Sequence, residues 1–270
     1  MPETSGLQLV LPGRYVGFGA SLGWIGRSWK LFAQAPLMWI LAVLIFFVGS
    51  LVVQVIPILG FIASTLLSPV YVAGFAVGCR SLETGGEFEL DQLLAGFKEH
   101  TVDLVVVGLV MLLGEILAFL IFLMIVGFAI FEAIYAAFIS GDAQAVEAIL
   151  VAMGLKIVLG VLVMLLFLIP LLAAYWFAPF LVVMHGMKPI EAMKASLTAC
   201  IRNFFPMAFY GLGMIVVGVV ACIPAIVPIL GWLVTAAAFF VLMVMGFIAI
   251  YTGYRDMFTE DPRITPTVTV

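Results

Sequence analysis

Few residues in this sequence could do chemistry, and the most informative is Glu115. It lies in Leu113-Gly-Glu-Ile-Leu117, well inside an apolar run that begins at Val102. A charged side chain near the middle of a bilayer costs at least ~2.5–3.5 kcal/mol, so an ionisable group there points to function by default. No Lys or Arg lies at a matching depth in the other apolar runs. Two readings fit Glu115: a proton-linked or substrate-binding group inside the membrane, or a neutral hydrogen bond that holds helices together. Gln54 and Tyr175 are lesser intramembrane polar candidates of the same kind. A second group is cationic. Arg27 and Lys30 flank one short polar stretch, and Lys188, Lys194 and Arg202 flank another. Cations beside an interfacial helix can hold anionic headgroups, at about 1 kcal/mol each. They can equally do no more than set topology.

Other chemistry is thinly represented. His100 and His185 make a poor metal site on their own. Cys79, Cys200 and Cys222 form no CxxC pair, so they read as small apolar filler, and neither a metal nor a redox motif is expected. There is no Walker loop, no dinucleotide-binding glycine motif, no nucleophile elbow and no HExxH helix. No cofactor is expected, and no basic run marks a nucleic-acid partner.

The elements that must position these residues are membrane helices. Of 270 residues 66% are hydrophobic and 10% charged, against roughly 45–50% and about 25% in ordinary globular domains. The mean hydropathy is +1.32 and the net charge −4. Such a chain needs the bilayer as its solvent. The N-terminus lacks the basic start and apolar core of a cleaved signal, so the first apolar segment is expected to be an uncleaved anchor.

In order, residues 1–17 read as a flexible tail with Pro2, Gly6, Pro12 and Gly13. Ser21 to Gln34 reads as an amphipathic helix in the interface plane, with Trp24, Ile25, Trp29, Leu31 and Phe32 near one face. Trp24, Trp29 and Trp39 are expected to be interface anchors. Six spans follow: Leu37–Ile56; Phe61–Gly78 with a kink at Pro69; the run from Val102, broken near Gly127; Leu155–Met184 with kinks at Pro170 and Pro179; Met207–Val227 interrupted by Pro224; and Trp232–Tyr254. Gly141 to Glu147 reads as an exterior turn and helix start. Asp91–Lys98 and Pro189–Asn203 are the second and third interfacial helices. In the third, Ile190, Met193, Leu197, Cys200, Ile201 and Phe204 recur at helical spacing, opposite Glu191, Lys194, Thr198 and Arg202. Residues 18–258 thus form one polytopic membrane domain, with hairpins at 18–82, 88–186 and 187–257. Residues 259–270 are expected to be a flexible C-terminal tail.

Of the eleven Lys and Arg residues, all but Lys156 fall on one side of this layout. The positive-inside rule then puts both termini in the cytoplasm. An internal repeat is also visible. Ile56-Pro-Ile-Leu-Gly60 matches Val227-Pro-Ile-Leu-Gly231 at an offset of 171 residues, and both join two spans. The hairpins exit through Gly78-Cys-Arg80 and Gly253-Tyr-Arg255. The expected fold is all-α, with six transmembrane helices arranged as three parallel hairpin repeats, each preceded by a cytoplasmic amphipathic helix.

The stretch from Phe177 to Ser196, FAPFLVVMHGMKPIEAMKAS, resembles the glycerophosphoryl diester phosphodiesterase membrane-domain superfamily. The pattern is an "APxLVV" run followed by "GxxPxEAxxxS". Over residues 20–258 the chain, with its PILG and GCRSL stretches, is similar to a proteobacterial family of inner-membrane proteins. The resemblance implies a fold and a bacterial inner-membrane location, and no activity. The expected function is a non-enzymatic module that contacts membrane lipids, a membrane-protein partner or a second copy. The alternative is a small transporter or permease that uses Glu115.

Overall fold

The computed structural model describes residues 8–140 and 143–260. Among the described residues the regular structure is helical apart from one pair of two-residue strands, and six helical stretches are long and apolar enough to cross a membrane. It is a polytopic membrane protein. The elements are β1 (Gln8–Leu9), α1 (Phe18–Gln34), α2 (Pro36–Val53), α3 (Pro57–Glu83), a 3-10 turn at Leu90–Leu94, α4 (Ala95–Lys98), α5 (Thr101–Ser140), α6 (Ala143–Trp176), α7 (Ala178–His185), α8 (Pro189–Arg202), α9 (Phe204–Ala221), a 3-10 turn at Ile223–Ile226, α10 (Leu230–Phe258) and β2 (Thr259–Glu260). Two compact units result: residues 1–108 with 173–270, and residues 109–172.

Prolines start several helices, because the first turn needs no N–H from them. Pro36, Pro57 and Pro189 do so for α2, α3 and α8. The expected turn at Pro57–Gly60 is therefore the first turn of α3, and the chain reverses one step earlier, over Gln54–Ile56. Pro228–Gly231 corresponds only in part: α10 begins at Leu230, after Ile229 at φ 62°. Both glycines are needed for close approach. A Cβ on Gly60 would collide with the Val53 carbonyl, and one on Gly231 with the Pro224 carbonyl, each seven residues earlier.

In the first unit, backbone meets backbone. A Cβ on Gly74 of α3 would strike the Leu93 carbonyl, and one on Gly96 of α4 would strike that of Val70. The polar connection after α3 is thereby laid flat on that helix. Phe88 fills the space beside Gly78 and packs against Trp39 with its ring tilted by 39°, the centroids 4.4 Å apart. Trp39 is fully buried and donates its indole N–H to the Leu31 carbonyl (3.1 Å). Trp24 is buried as well, whereas Trp29 is half exposed. Of the three, only Trp29 keeps the exposure expected of an interface anchor, because Phe75 and Phe88 pack on Trp39 and the end of α10 meets Trp24.

The described part of the N-terminal segment corrects the expectation of a loose tail. β1 pairs with β2 through Gln8–Glu260 and Leu9–Thr259. Val10 N–H then bonds the Phe258 carbonyl (2.9 Å), and Arg14 N–H that of Met257 (2.8 Å). Thr259 and Glu260, expected to open a flexible tail, are the other half of that pair. The remainder of both predicted tails lies outside the described residues.

α6 ends at Trp176 and α7 begins afresh, with Pro179 in its first turn rather than kinking one helix. The buried hydroxyl of Ser196 on α8 repairs the break. It donates to the Ala173 carbonyl (2.7 Å) and accepts from Phe177 N–H (2.9 Å). Those two groups are an i, i+4 pair that an unbroken helix would join directly.

In the second unit, α5 runs unbroken through Gly127, where a break was expected. One helix-interior glycine costs only about 1 kcal/mol, and no proline enforces a stop. Gly114 meets the Leu171 side chain and Gly160 the ring of Phe122. The expected turn at Gly141–Glu147 falls partly outside the described residues; helix resumes at Ala143. Glu132 and Lys156 form an ion pair across the two helices. From Asp103 to Glu132 the helix rises about 44 Å, at 1.5 Å per residue. That matches the ~40–45 Å of a bilayer counted with its headgroups.

Ser196→Ala would leave a buried N–H and a buried C=O without their bridge. It should destabilise the detergent-solubilised protein by about 1–3 kcal/mol. Thr198→Ala, which removes a hydroxyl bonded back to Lys194 on the same helix, should shift the denaturation midpoint little.

Candidate functional site

The polar groups of the first unit gather around the last turns of α10. Successive helix residues point about 100° apart, so Tyr251, Tyr254, Arg255 and Asp256 reach different neighbours. Tyr251, almost fully buried, donates its hydroxyl to Glu83 Oε2 at the end of α3 (2.5 Å). Arg255 donates Nε–H to Glu83 Oε1 (3.0 Å) and Nη1–H to Thr259 Oγ1 (2.8 Å). Tyr254 lies 2.6 Å from His185 Nε2 at the end of α7. Arg80 approaches Met184 Sδ beside it. The two hairpin exits identified by their Gly-x-Arg pattern thus meet at one place, through a carboxylate that neither pattern contained.

Asp256 faces α1. Its carboxylate accepts from Trp24 Nε1–H (2.8 Å) and from both terminal nitrogens of Arg27. This bidentate bond raises the Arg27 pKa, and the opposing effect of burial is smaller. The Asp256 carbonyl takes Arg14 Nε–H, and Arg14 also reaches Glu260 (3.4 Å).

Asn203, between α8 and α9, is fully buried and fully used. Its Oδ1 accepts Val16 N–H (2.7 Å), and its Nδ2 donates to the carbonyls of Arg14 (3.0 Å) and Ala199 (2.9 Å). Arg202 donates to the Gly13 carbonyl (2.8 Å). Segment 10–17 is thus a strap pinned to α8 on one side and α10 on the other. Arg14, Arg27 and Asp256 border a cleft of about 490 Å³ beneath it, whose floor includes Gly17, Ala20 and Gly23.

The cations expected to meet headgroups divide. Arg27 forms an ion pair with Asp256, and Arg202 holds the strap. Lys30, Lys188 and Lys194 are exposed and form no ion pair among the described residues. The single apolar face expected of α8 is divided. Ala192, Met193, Ala195, Ser196, Ala199 and Cys200 pack inward, while Ile190 and Ile201 are exposed alongside Lys194.

The intramembrane candidates are dispersed. Gln54 is exposed where α2 ends, and Tyr175, in the last turn of α6, lies 3.0 Å from the Ser68 hydroxyl. Glu115 is half-buried on α5 in the second unit. His100 sits 3.8 Å from Asp103. No cluster of three or more potential metal ligands occurs among the described residues. Cys79 and Cys200 are buried and Cys222 exposed. Burial pushes the Cys200 thiol up to about 12, more than its hydrogen bond with Ser196 lowers it.

The residues that the sequence reading missed are Glu83, Asp256, Asn203, Tyr251 and Tyr254. The available signal was Tyr251-Thr-Gly-Tyr-Arg-Asp256, a dense polar run at the end of an apolar span.

No family model matches the chain, so the superfamily resemblance of Phe177–Ser196 gains no support there. No solved structure matches it either. A Burkholderia thailandensis protein named as a probable inner membrane protein is 24% identical over 258 residues, which cover 88% of this chain and 91% of that one. The likeness spans most of both chains and supports kinship with inner-membrane proteins of that kind.

Asp256→Ala should strand Arg27 and Trp24 while leaving the backbone bonds of the strap in place. The expected loss is about 2 kcal/mol, the scale of a hydrogen bond to a charged group. Asn203→Ala, which removes the bonds to Val16 N–H and to the Arg14 carbonyl, should instead let limited proteolysis cut residues 10–17 faster than in the parent chain. In detergent, maleimide at pH 7 should label Cys222 readily, and Cys200 only after denaturation.

Proposed function

We propose that this chain is a multi-pass protein of the bacterial inner membrane with both termini in the cytoplasm. Its role is that of a non-enzymatic module gripping anionic lipid headgroups at the cytoplasmic surface. The observation that carries the reading is the division among cations. Arg14, Arg27, Lys98, Lys156 and Arg255 are joined to carboxylates. Lys30 on α1, Lys188 just before α8 and Lys194 on α8 are left for something outside the fold. Lys194 lies between exposed Ile190 and Ile201, an arrangement in which an apolar stem sits at the boundary and the ammonium reaches the headgroups. On α1, exposed Phe18, Leu22 and Trp29 share one side and Lys30 lies about 100° round the helix from them. Both helices thus suit the interface plane, apolar side down.

The same reading includes a duplicated hairpin. Gly60 and Gly231 hold the same place in matching PILG stretches, and each abuts the carbonyl seven residues before it. Parallel repeats would put α1 and α8, which precede the first and third hairpins, on the same membrane face. The name of the Burkholderia thailandensis relative favours the inner membrane as the location.

Native mass spectrometry of protein released from its own membrane tests the role. The parent chain should retain phosphatidylglycerol or cardiolipin, and the triple variant K30Q/K188Q/K194Q should lose most of it without change in melting temperature. Equal retention by both would overturn the reading. A stoichiometric protein partner in place of lipid would recast the chain as an accessory subunit. Cysteines placed at 188 and 156 should label from opposite sides of the membrane.

A further inference from the structure

We infer that the cleft under the strap is a binding site for an organic phosphate, a phosphate monoester or diester. The cleft measures about 490 Å³. Ligand pockets typically run ~300–1,000 Å³, so there is room for more than a bare ion. Of its charged lining groups, Arg14 and Arg27 outnumber Asp256. Asp256 fixes both guanidiniums without exhausting them. Arg27 spends its two terminal nitrogens on the carboxylate and keeps Nε–H. Arg14 spends Nε on the backbone carbonyl and Nη1 on a long contact to Glu260, and keeps the donors of Nη2. Guanidinium forks that are already held in place match phosphate oxygens at little further entropic cost. Gly17, the residue before α1, has no side-chain cap, so the positive end of that helix adds to the same field.

The floor supplies the second observation. A Cβ at Gly23 would meet no described atom within 4 Å. Glycine inside a helix costs about 1 kcal/mol relative to alanine, and here no described neighbour requires it. Gly19 and Gly26 of the same helix are equally open; what sets Gly23 apart is its place in the cleft lining, where the missing side chain leaves room for a ligand against the α1 backbone. Ala20, Gly23 and Arg27 lie on the side of α1 roughly opposite Phe18, Leu22 and Trp29. The site is separate from Lys188 and Lys194, while Lys30 stands at its edge, one turn beyond Arg27 on the same side of α1. With the headgroup reading it shares Lys30 and the lipid source of phosphate.

The test compares the parent chain, Gly23→Leu, which fills the cleft, and Gly26→Leu, which adds the same side chain to open space elsewhere on α1. Two probes separate the sources: glycerol 3-phosphate in a thermal-shift titration, and phosphatidylglycerol retained from nanodiscs in native mass spectrometry. The parent and Gly26→Leu should bind at least one probe, and Gly23→Leu at least tenfold more weakly. Which probe binds identifies a soluble ester or a lipid. On the parent chain alone, the bound probe should shield Arg14 and Arg27 from phenylglyoxal while Arg202 still reacts. Absence of binding and shielding by the parent, or equal binding by Gly23→Leu, overturns the site. So does a dimer that both leucine variants disrupt without any effect of phosphate; the glycine face would then pack against a second copy. Loss of lipid at the three lysines with an unchanged response at Gly23 would leave the headgroup reading standing and this one refuted.

Discussion

The carboxylate of Asp256, gripped by Arg27 and Trp24, sets the register of the first unit's charged end. It lies one residue after Arg255, so the two side chains leave α10 in different directions. One reaches α1, and the other reaches Glu83 on α3; the strap is met by the Asp256 backbone carbonyl, which accepts from Arg14. A carboxylate partly withdrawn from water must find donors or leave its charge unsatisfied. Both carboxylates find arginine together with an aromatic donor, Trp24 for Asp256 and Tyr251 for Glu83. Ion pairs of this kind contribute little net energy where they are exposed. Their larger effect here is to fix position. Apolar helix surfaces in a bilayer slide past one another with small loss, and a bidentate pair with a fixed partner on each side does not.

Backbone groups at helix breaks obey the same rule. Within an apolar medium an open N–H or C=O needs a partner from the protein itself. Ser196 supplies both for the gap between α6 and α7, Asn203 supplies three bonds where the strap passes α8, and the Trp39 indole closes a carbonyl at the end of α1. Two of these three residues belong to α8 or its C-cap. That explains why the inward face of α8 is alanine, serine and asparagine rather than the large residues: small side chains let the helix approach closely enough for one hydroxyl to enter another helix's ladder.

Hydropathy made the six spans legible, and prolines at 36, 57 and 189 marked three helix starts. What stayed illegible has identifiable causes. In a bilayer the lipid-facing side of a helix is as apolar as the packed side, so the spacing of Ile190, Leu197 and Ile201 could not say which way α8 faces. Trp24 and Trp39 carry the composition of interface anchors, but their indole N–H groups are spent on Asp256 and on the Leu31 carbonyl. The N-terminal segment reads as a tail because Pro12 and Gly13 look like breakers. Yet a Cβ at Gly13, whose φ is +98°, would press within 3.0 Å of Ala199 Cβ, so that glycine serves the docked strap. Glu83 and Asp256 looked like ordinary loop acids, because pairing between residues more than 170 positions apart leaves no local pattern.

The division among the cations therefore means more than their number. Positive-inside counting treats every Lys and Arg alike, yet these do different work. An arginine can hold a carboxylate with two parallel bonds, and Arg27 does so with Asp256; Arg14 and Arg255 join their acidic partners more loosely. Lysine is a mobile point charge on a long stem, better suited to partners that diffuse, and the exposed set left outside the ion pairs is Lys30, Lys188 and Lys194. The arginines build the frame at one end of the unit, and the lysines stand outside it. Charge paired inside the frame is held in fixed positions, so a diffuse electrostatic grip on the membrane surface should scale with the lysines rather than with the total positive charge of that end.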